Sequence, residues 1–235
     1  MLLSNDCWMK DTCKKYQTNP DCECKITNTY CPKLFKLDYL YADANLSIPQ
    51  RKSLVLYPDA DGTDVAQFDV LNDIKNNISD FVRSGKNLFI YSPYPGNGKT
   101  SWTLKLVQAY FNSIWSYCDL SCHALFINVP RFLIALKANI SVKNDYVQHI
   151  LDNVMNCDIV VWDDIGTKAG TEFEIENLLS YINTRIDTGK TNIYTSNIIP
   201  EKLSDVVGPR LTSRIVGTSL NVGLNGMDKR GLKVE

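Results

Sequence analysis

The chain has 235 residues, with 25 basic and 26 acidic side chains and a formal net charge of −1 at pH 7. Hydrophobic residues make up 44% and charged residues 22%, as in soluble globular proteins. No apolar run approaches a membrane span, and the start "MLLSNDCWMK" lacks the features of a secretory signal, so we predict a cytoplasmic protein. The near-neutral charge predicts that any nucleic acid is bound by a local patch.

The first 31 residues contain five of the eight cysteines, in the pattern C-x5-C-x8-C-x-C-x6-C. Disulfides are rare in the cytosol, so this cluster indicates a metal, and the metal would supply folding energy to a segment too short to bury a core. We predict a Zn²⁺ site made by four of the five, with the choice between Cys22 and Cys24 open and unliganded thiols as the alternative. The five candidates are Cys7, Cys13, Cys22, Cys24 and Cys31. The remaining three, Cys118, Cys122 and Cys157, are predicted to be ordinary core residues.

The residues after this cluster predict a helix, a linker and a second helix. The segment "KLFKLDYLYADANL" has apolar residues at helical spacing, which indicates a short amphipathic helix. The polar, proline-containing stretch 47–64 predicts a linker. Residues 65–85 then place apolar side chains on one helical face and end at Gly85, a suitable C-cap. We predict a cysteine-rich module at 1–46, a linker at 47–64 and a main domain at 65–235.

The stretch "SPYPGNGKTS" at 92–101 resembles a phosphate-binding loop. Gly98, Lys99 and Thr100 match the second half of G-x-x-x-x-G-K-[ST], whereas Pro93 stands at the first glycine. An apolar strand precedes the loop and a helix follows it, so that backbone N–H groups converge on phosphates. Lys99 would reach the β- and γ-phosphates and Thr100 would bind Mg²⁺. The predicted nucleotide contacts are Pro95, Gly96, Asn97, Gly98, Lys99, Thr100 and Ser101.

Strand and helix patterns alternate after the loop. Short apolar strands separated by helices predict an α/β fold with a parallel sheet covered on both faces. The predicted strands are 123–129, 157–164, 190–197 and, more weakly patterned, 217–224. The predicted helices are 130–138, 145–156, 173–187 and 208–214.

Polar residues that follow these strands complete the candidate site. In "IVVWDD", Asp163 would ligate the Mg²⁺ of the bound nucleotide and Asp164 would orient or deprotonate the attacking water, unless Asp164 is a solvated loop acid. In "NIYTSN", the amide of Asn197 would bond the water and the γ-phosphate. In "GPRLTSRI", Arg210 and Arg214 share a helix face; they would stabilise phosphoryl charge, often across a subunit boundary, or are surface arginines.

These motifs, in this order, resemble the AAA+ ATPases, specifically the DnaC/DnaI-type helicase loaders of bacteria and phages. The resemblance lies in the cysteine-rich opening of this chain and in six further segments: "SPYPGNGKTSW", "NVPRFL", "VVWDDIGTK", "IYTSN", "VGPRLTSRI" and "NGMDKRG". The resemblance implies an AAA+ P-loop fold without a C-terminal lid and ATP-dependent loading of a hexameric replicative helicase onto single-stranded DNA. It further implies self-association through ATP interfaces and an N-terminal module that docks the helicase. Pro93 and the Asp-Asp pair depart from the common AAA+ pattern, which puts the rate of hydrolysis in doubt.

Two other functions fit the same motifs. One is a transposition helper ATPase of the IstB-like type, and the other is a nucleotide-gated adaptor that does not hydrolyse ATP. Arg131, Phe132, Lys137 and Lys143 could line a DNA path or could belong to a solvated helix face. Both histidines, His123 and His149, are predicted to be structural.

Overall fold

The structure is a computed structural model that describes residues 31–52, 54–59, 62–167, 170–226 and 228. The cysteines at positions 7, 13, 22 and 24 lie outside the described residues, so the N-terminal zinc module stays a prediction. Cys31 is exposed, and its Sγ accepts a hydrogen bond from the Leu34 N–H at the start of the first described helix.

The described elements alternate between helix and strand through most of the chain. The helices are α1 (Pro32–Asp43), α2 (Val65–Asn76), α3 (Ile78–Arg83), α4 (Lys99–Ile114), α5 (Val129–Ala138), α6 (Asp145–Asn153), α7 (Glu172–Asp187), α8 (Pro200–Val207) and α9 (Pro209–Gly217). The strands are β1 (Asn87–Tyr91), β2 (Ala124–Asn128), β3 (Ile159–Asp163), β4 (Thr191–Ser196) and β5 (Ser219–Gly223). Within the described part of the chain, no helix is long and apolar enough to cross a membrane.

The strands form one parallel sheet in the order β2-β3-β4-β1-β5. Every residue of β3 and β4 is buried. In β3 this agrees with the apolar run that precedes Asp163, whereas β4 also buries the polar residues Asn192 and Ser196. All strands point the same way, so their carboxyl ends meet at one edge of the sheet, where parallel α/β folds bind ligands. The predicted α/β class and covered parallel sheet are confirmed.

Side chains alternate between two cores, one on each face of the sheet. Leu88 and Ile90 of β1 point into the core made with α1 to α4, whereas Phe89 points into the core made with α5 to α9. Across the first core, the Phe68 and Trp102 rings pack edge to face with centroids 5.1 Å apart. The sheet is thus held rigidly from both sides.

The first described helix, α1, belongs to the first core. Its Leu37, Leu40 and Tyr41 are at most 1% exposed, and the backbone N–H of Phe126 donates to the carbonyl of Ala44 at 2.9 Å. The boundary predicted between 46 and 47 stays a prediction, but the described residues on either side pack in one core.

Two helices differ from the predictions. The helix predicted at 65–85 divides at Asn77, whose φ of −110° and ψ of 27° interrupt the helical backbone between α2 and α3. The sequence analysis also missed α8, which begins at Pro200 and is separated from α9 by Gly208 at φ 79°. Helix α8 has only eight residues and buries only Leu203 and Val207, so it is too short to give a strong periodic pattern.

Candidate nucleotide site

The loop between β1 and α4 requires glycine at two positions. Gly96 has φ 77° and Gly98 has φ 98°, both in the left-handed region that side chains disfavour. At Gly96 the Asp228 carboxylate also lies so close that a Cβ would displace it. The acid from beyond β5 therefore lies against the loop at the point where phosphate is expected.

Pro93 fits where the phosphate-loop pattern has its first glycine. The chain has just left β1, and the Ser92 N–H still pairs with the Ser196 carbonyl at 3.1 Å. The next N–H, on Tyr94, donates to Ser92 Oγ at 3.1 Å. Pro93 itself has no positive φ and lies exposed, so the structure needs neither a glycine nor an N–H at this position.

Lys99 starts α4 and is buried inside the loop. Its Nζ donates to the Tyr94 carbonyl at 2.9 Å and to Asn97 Oδ1 at 3.3 Å. The Asn97 amide in turn donates to the Leu224 carbonyl at 3.1 Å, which ties the loop to the segment after β5. Of the other predicted contacts, Pro95 is exposed on the loop and Ser101 lies in the first turn of α4.

Thr100 and Asp163 meet beside the loop, as the predicted Mg²⁺ site requires. The Thr100 hydroxyl donates to Asp163 Oδ1 at 2.9 Å. Burial raises the pKa of Asp163, and the neighbouring Asp164 carboxylate raises it further. A divalent cation would offset both effects, and a hydroxyl with a carboxylate is a donor set that suits Mg²⁺. These two residues therefore fit the metal of a bound nucleotide.

Asp164 follows β3 in an unusual backbone conformation. Its φ is 63°, a left-handed value that costs about 1–3 kcal/mol for a non-glycine residue. Two residues hold it there: Thr195 Oγ1 accepts from the Asp164 N–H at 2.9 Å, and the Asn128 amide donates to Asp164 Oδ2 at 3.4 Å. The carboxylate is thus directed from β2 and β4 together.

Thr195 and Asn128 were missed by the sequence analysis. Thr195 is fully buried, and its hydroxyl also donates to Asp163 Oδ1 at 2.8 Å, so a single group contacts both acids. Their positions in the sequence could have indicated this role. Asn128 ends β2 and Thr195 lies near the end of β4, and these two strands flank β3.

Replacing Thr195 with valine should lower ATP turnover by about 10-fold or more while nucleotide affinity changes little. Valine keeps the shape but removes the hydroxyl that positions both acids, and an unmatched buried partner costs about 1–3 kcal/mol. Steady-state turnover and nucleotide titration would test this, with Thr195→Ser as the matched control that keeps the hydroxyl. Parent turnover in the valine variant would show that this hydroxyl does not position the acids.

The remaining predicted site residues lie at or beyond the same sheet edge. Asn197 is exposed and directly follows β4, which lies between β1 and β3. Arg210 and Arg214 are exposed on α9, whose opposite side buries Leu211 and Ile215. Arg210 pairs with Glu176 at 3.1 Å, an exposed ion pair of the kind that contributes little to stability. Lys99, Thr100, Asp163 and Asp164 come together, whereas the arginines face solvent.

The four residues suggested to line a DNA path differ in their exposure and contacts. Phe132 is fully buried, so it neither lines a DNA path nor belongs to a solvated helix face, and both predictions are wrong for this residue. Its spacing reflects packing of α5 onto the sheet. Arg131 lies with its guanidinium carbon 5.0 Å from the centre of the Tyr146 ring, and Lys137 pairs with Glu174 at 3.0 Å. Lys143 is exposed.

Comparison with known sequences finds similarity to a replication initiator over part of the chain. No family model matches the chain. The chromosomal replication initiator protein DnaA of Nautilia profundicola is 33% identical over 133 residues, which cover 55% of this chain. That match covers only 28% of the length of the DnaA protein.

Solved structures with a similar fold come from replication proteins. The DnaC helicase loader superposes with a TM-score of 0.58 at 19% identity, covering 72% of this chain and 93% of that one. DnaI gives 0.55 at 15% identity, covering 79% and 94%. The replication initiator DnaA bound to AMPPCP and single-stranded DNA gives 0.52 at 23% identity, covering 68% and 46%. At these identities the similarity establishes the fold.

Proposed function

We propose that this chain, which has the AAA+ ATPase-domain fold of DnaC, DnaI and DnaA, is an ATP-dependent loader of a hexameric replicative helicase. It would act in the cytoplasm, placing the helicase on single-stranded DNA at the initiation of replication. One observation carries the ATPase part of the proposal: the Thr100 hydroxyl lies 2.9 Å from Asp163 Oδ1 beside the buried Lys99. The overlap with the DnaC loader and DnaI supports the loader part.

In the proposed reaction, the loop N–H groups and Lys99 bind the phosphates of ATP. Thr100 and Asp163 would hold Mg²⁺, which neutralises phosphate charge when bound. Asp164 accepts a proton from water, whose oxygen bonds to the γ-phosphorus as the bond to the β-phosphate oxygen breaks. Asn197 orients that water. ADP and phosphate leave, and Asp164 returns its proton to solvent.

We propose that Arg210 completes the site of a neighbouring subunit. The arginine is exposed on α9, so it is available to a second copy of the chain. Separately, Arg210→Ala and Lys99→Ala should each abolish turnover, but mixing them should restore part of it. The mixed interface joins an intact Lys99 to an intact Arg210. Turnover measured across mixing ratios would test this. If the mixture of Arg210→Ala with Lys99→Ala is inactive, but a mixture of Arg214→Ala with Lys99→Ala is active, Arg214 and not Arg210 has this role.

The loader proposal divides the work between two regions. The cysteine-rich module at 1–46 should bind the helicase without nucleotide, and the ATPase domain should bind single-stranded DNA more tightly with ATP than with ADP. The reason is that a γ-phosphate bound by Asn197 and Arg210 would draw subunits into one DNA-binding surface. A coupling of about 5- to 150-fold is typical of such linkage.

The full-length chain is the right material for this test, because α1 packs in the ATPase core. Lys99→Ala should keep helicase co-purification and lose the ATP-dependent gain in DNA affinity. A joint Cys7→Ser and Cys13→Ser variant should do the reverse. If the chain binds no helicase of its host and its DNA affinity is the same with ATP and ADP, the loader proposal is refuted and only the ATPase assignment remains. ATP binding without turnover would instead identify an adaptor.

A further inference from the structure

Three metal-ligating side chains meet away from the nucleotide site. Asp43 ends α1, Cys122 lies just before β2, and His149 is on α6, and their ligand atoms all lie within 4.8 Å of one another. His149 Nε2 is 3.8 Å from Asp43 Oδ1. Each residue is half-buried. We propose that Asp43, Cys122 and His149 form a binding site for Zn²⁺.

The donor set selects the cation. A thiolate, an imidazole and a carboxylate suit Zn²⁺, whereas Mg²⁺ and Ca²⁺ prefer oxygen alone. Tetrahedral zinc with bonds of about 2.0–2.3 Å places its ligand atoms roughly 3.3–3.7 Å apart. The separations here exceed that range by about 1 Å at most, which rotation of the side chains can close. Three protein ligands leave a fourth position for water.

His149 must move its ring proton from Nε2 to Nδ1 before Nε2 can bind the cation. Its Nε2 lies 2.7 Å from the Asp43 backbone carbonyl, a distance at which the ring N–H donates. Zinc would take the Nε2 lone pair, and the proton would move to Nδ1. The Asn153 amide nitrogen lies 3.4 Å from Nδ1 and already donates to the His149 carbonyl at 2.9 Å. A zinc-bound histidine usually donates its other ring N–H to a carboxylate, a carbonyl or water, and at half-buried His149 water can serve.

Cys122 must also release a proton. Zinc binds cysteine as the thiolate, so a Cys122 thiol must lose its proton to become a ligand. Zinc binding would expel this proton, and the affinity should therefore rise with pH. Cys157 is not one of the three clustered ligands, and its sulfur instead lies 3.6 Å from Arg185 Nη1.

The site would fasten three elements that are distant in sequence. Asp43 belongs to the first described helix, Cys122 lies in the loop just before β2, and His149 belongs to α6. The sequence analysis treated Cys122 as core and His149 as structural. The half-exposed Cys122 differs from Cys118 and Cys157, which are buried as predicted.

Alkylation of Cys122 in the full-length chain tests the site directly. Iodoacetamide labelling, quantified on the peptide that contains Cys122, should be at least about 10-fold slower with buffered Zn²⁺, because a metal-bound thiolate is not free to react. Mg²⁺ should have no such effect. Reading this peptide alone excludes any zinc bound by the N-terminal cysteines. An unchanged labelling rate with Zn²⁺ would overturn the proposal.

Two variants then locate the other ligands. His149→Gln and Asp43→Asn should each remove the protection of Cys122 by zinc. His123→Gln is the matched control, since His123 is bonded to Asp119 and Asp158 outside the group, and it should keep the protection. Protection that survives in both ligand variants would place the zinc elsewhere and overturn the site. If a variant does not fold, the comparison of Zn²⁺ with Mg²⁺ on the parent chain still decides.

Discussion

Lys99→Ala should lower the affinity for ATP by about 100-fold or more, which corresponds to about 2.7 kcal/mol. The substitution removes a buried ammonium group at the base of the loop, where the β- and γ-phosphates are expected. It also removes the donor to the Tyr94 carbonyl, so the loop loses an internal bond together with its charge. Titration with a fluorescent ATP analogue measures the loss.

Lys105→Ala is the matched control for this experiment. Lys105 lies on the same helix, α4, but its Nζ rests 5.5 Å from the centre of the Trp102 ring rather than inside the loop. Its removal should leave nucleotide affinity unchanged. Equal affinity in the Lys99 variant and the parent chain would refute the phosphate-loop assignment.

Asp164→Asn should leave ATP binding intact and lower turnover by about 100- to 10,000-fold, the usual contribution of a general base. The amide cannot accept the proton of the attacking water, whereas Thr100 and Asp163 remain to hold Mg²⁺. Asparagine tolerates the left-handed backbone found at this position, so the fold should persist. Single-turnover hydrolysis, measured beside nucleotide titration, separates the two effects.

Asp187→Asn provides the comparison, because it makes the same change at an exposed acid near the end of α7. Its turnover should match that of the parent chain. If Asp164→Asn also hydrolyses ATP at the parent rate, Asp164 is a solvated loop acid and the base must lie elsewhere.

Sequence reasoning reached the sheet and the centre of the site because both depend on local patterns. Buried parallel strands are continuous apolar runs, and the residues after them must meet at one edge. This rule predicts that Thr100 and Asp163 lie together, and in the structure they are in contact at 2.9 Å. A proline at position 93 is also expected to be tolerated, since it lies where the chain leaves β1. The contact between Thr100 and Asp163 is observed, but the roles predicted for all the site residues stay predictions: Lys99, Thr100, Asp163, Asp164, Asn197, Arg210 and Arg214.

The features that escaped prediction depend on contacts between distant residues. Thr195 looked like part of a strand, and its importance arises only because β4 pairs with β3 and brings its hydroxyl to both acids. Phe132 looked available for DNA, but the sheet covers it completely. The break at Asn77 interrupts a periodic run whose apolar spacing continues through it. None of these contacts has a signature in a short window of sequence.

The packing of α1 has a consequence for how the chain moves. A helix near a chain end usually frays, and its amide hydrogens exchange quickly. Here Leu37, Leu40 and Tyr41 fill the first core, and the Tyr41 and Phe111 rings pack edge to face with centroids 5.3 Å apart. Amides in the middle of α1 should therefore exchange with deuterium as slowly as those of α4. A force applied at residue 31 would therefore be transmitted through α1 to the core that α1 shares with α4, the helix that begins at Lys99.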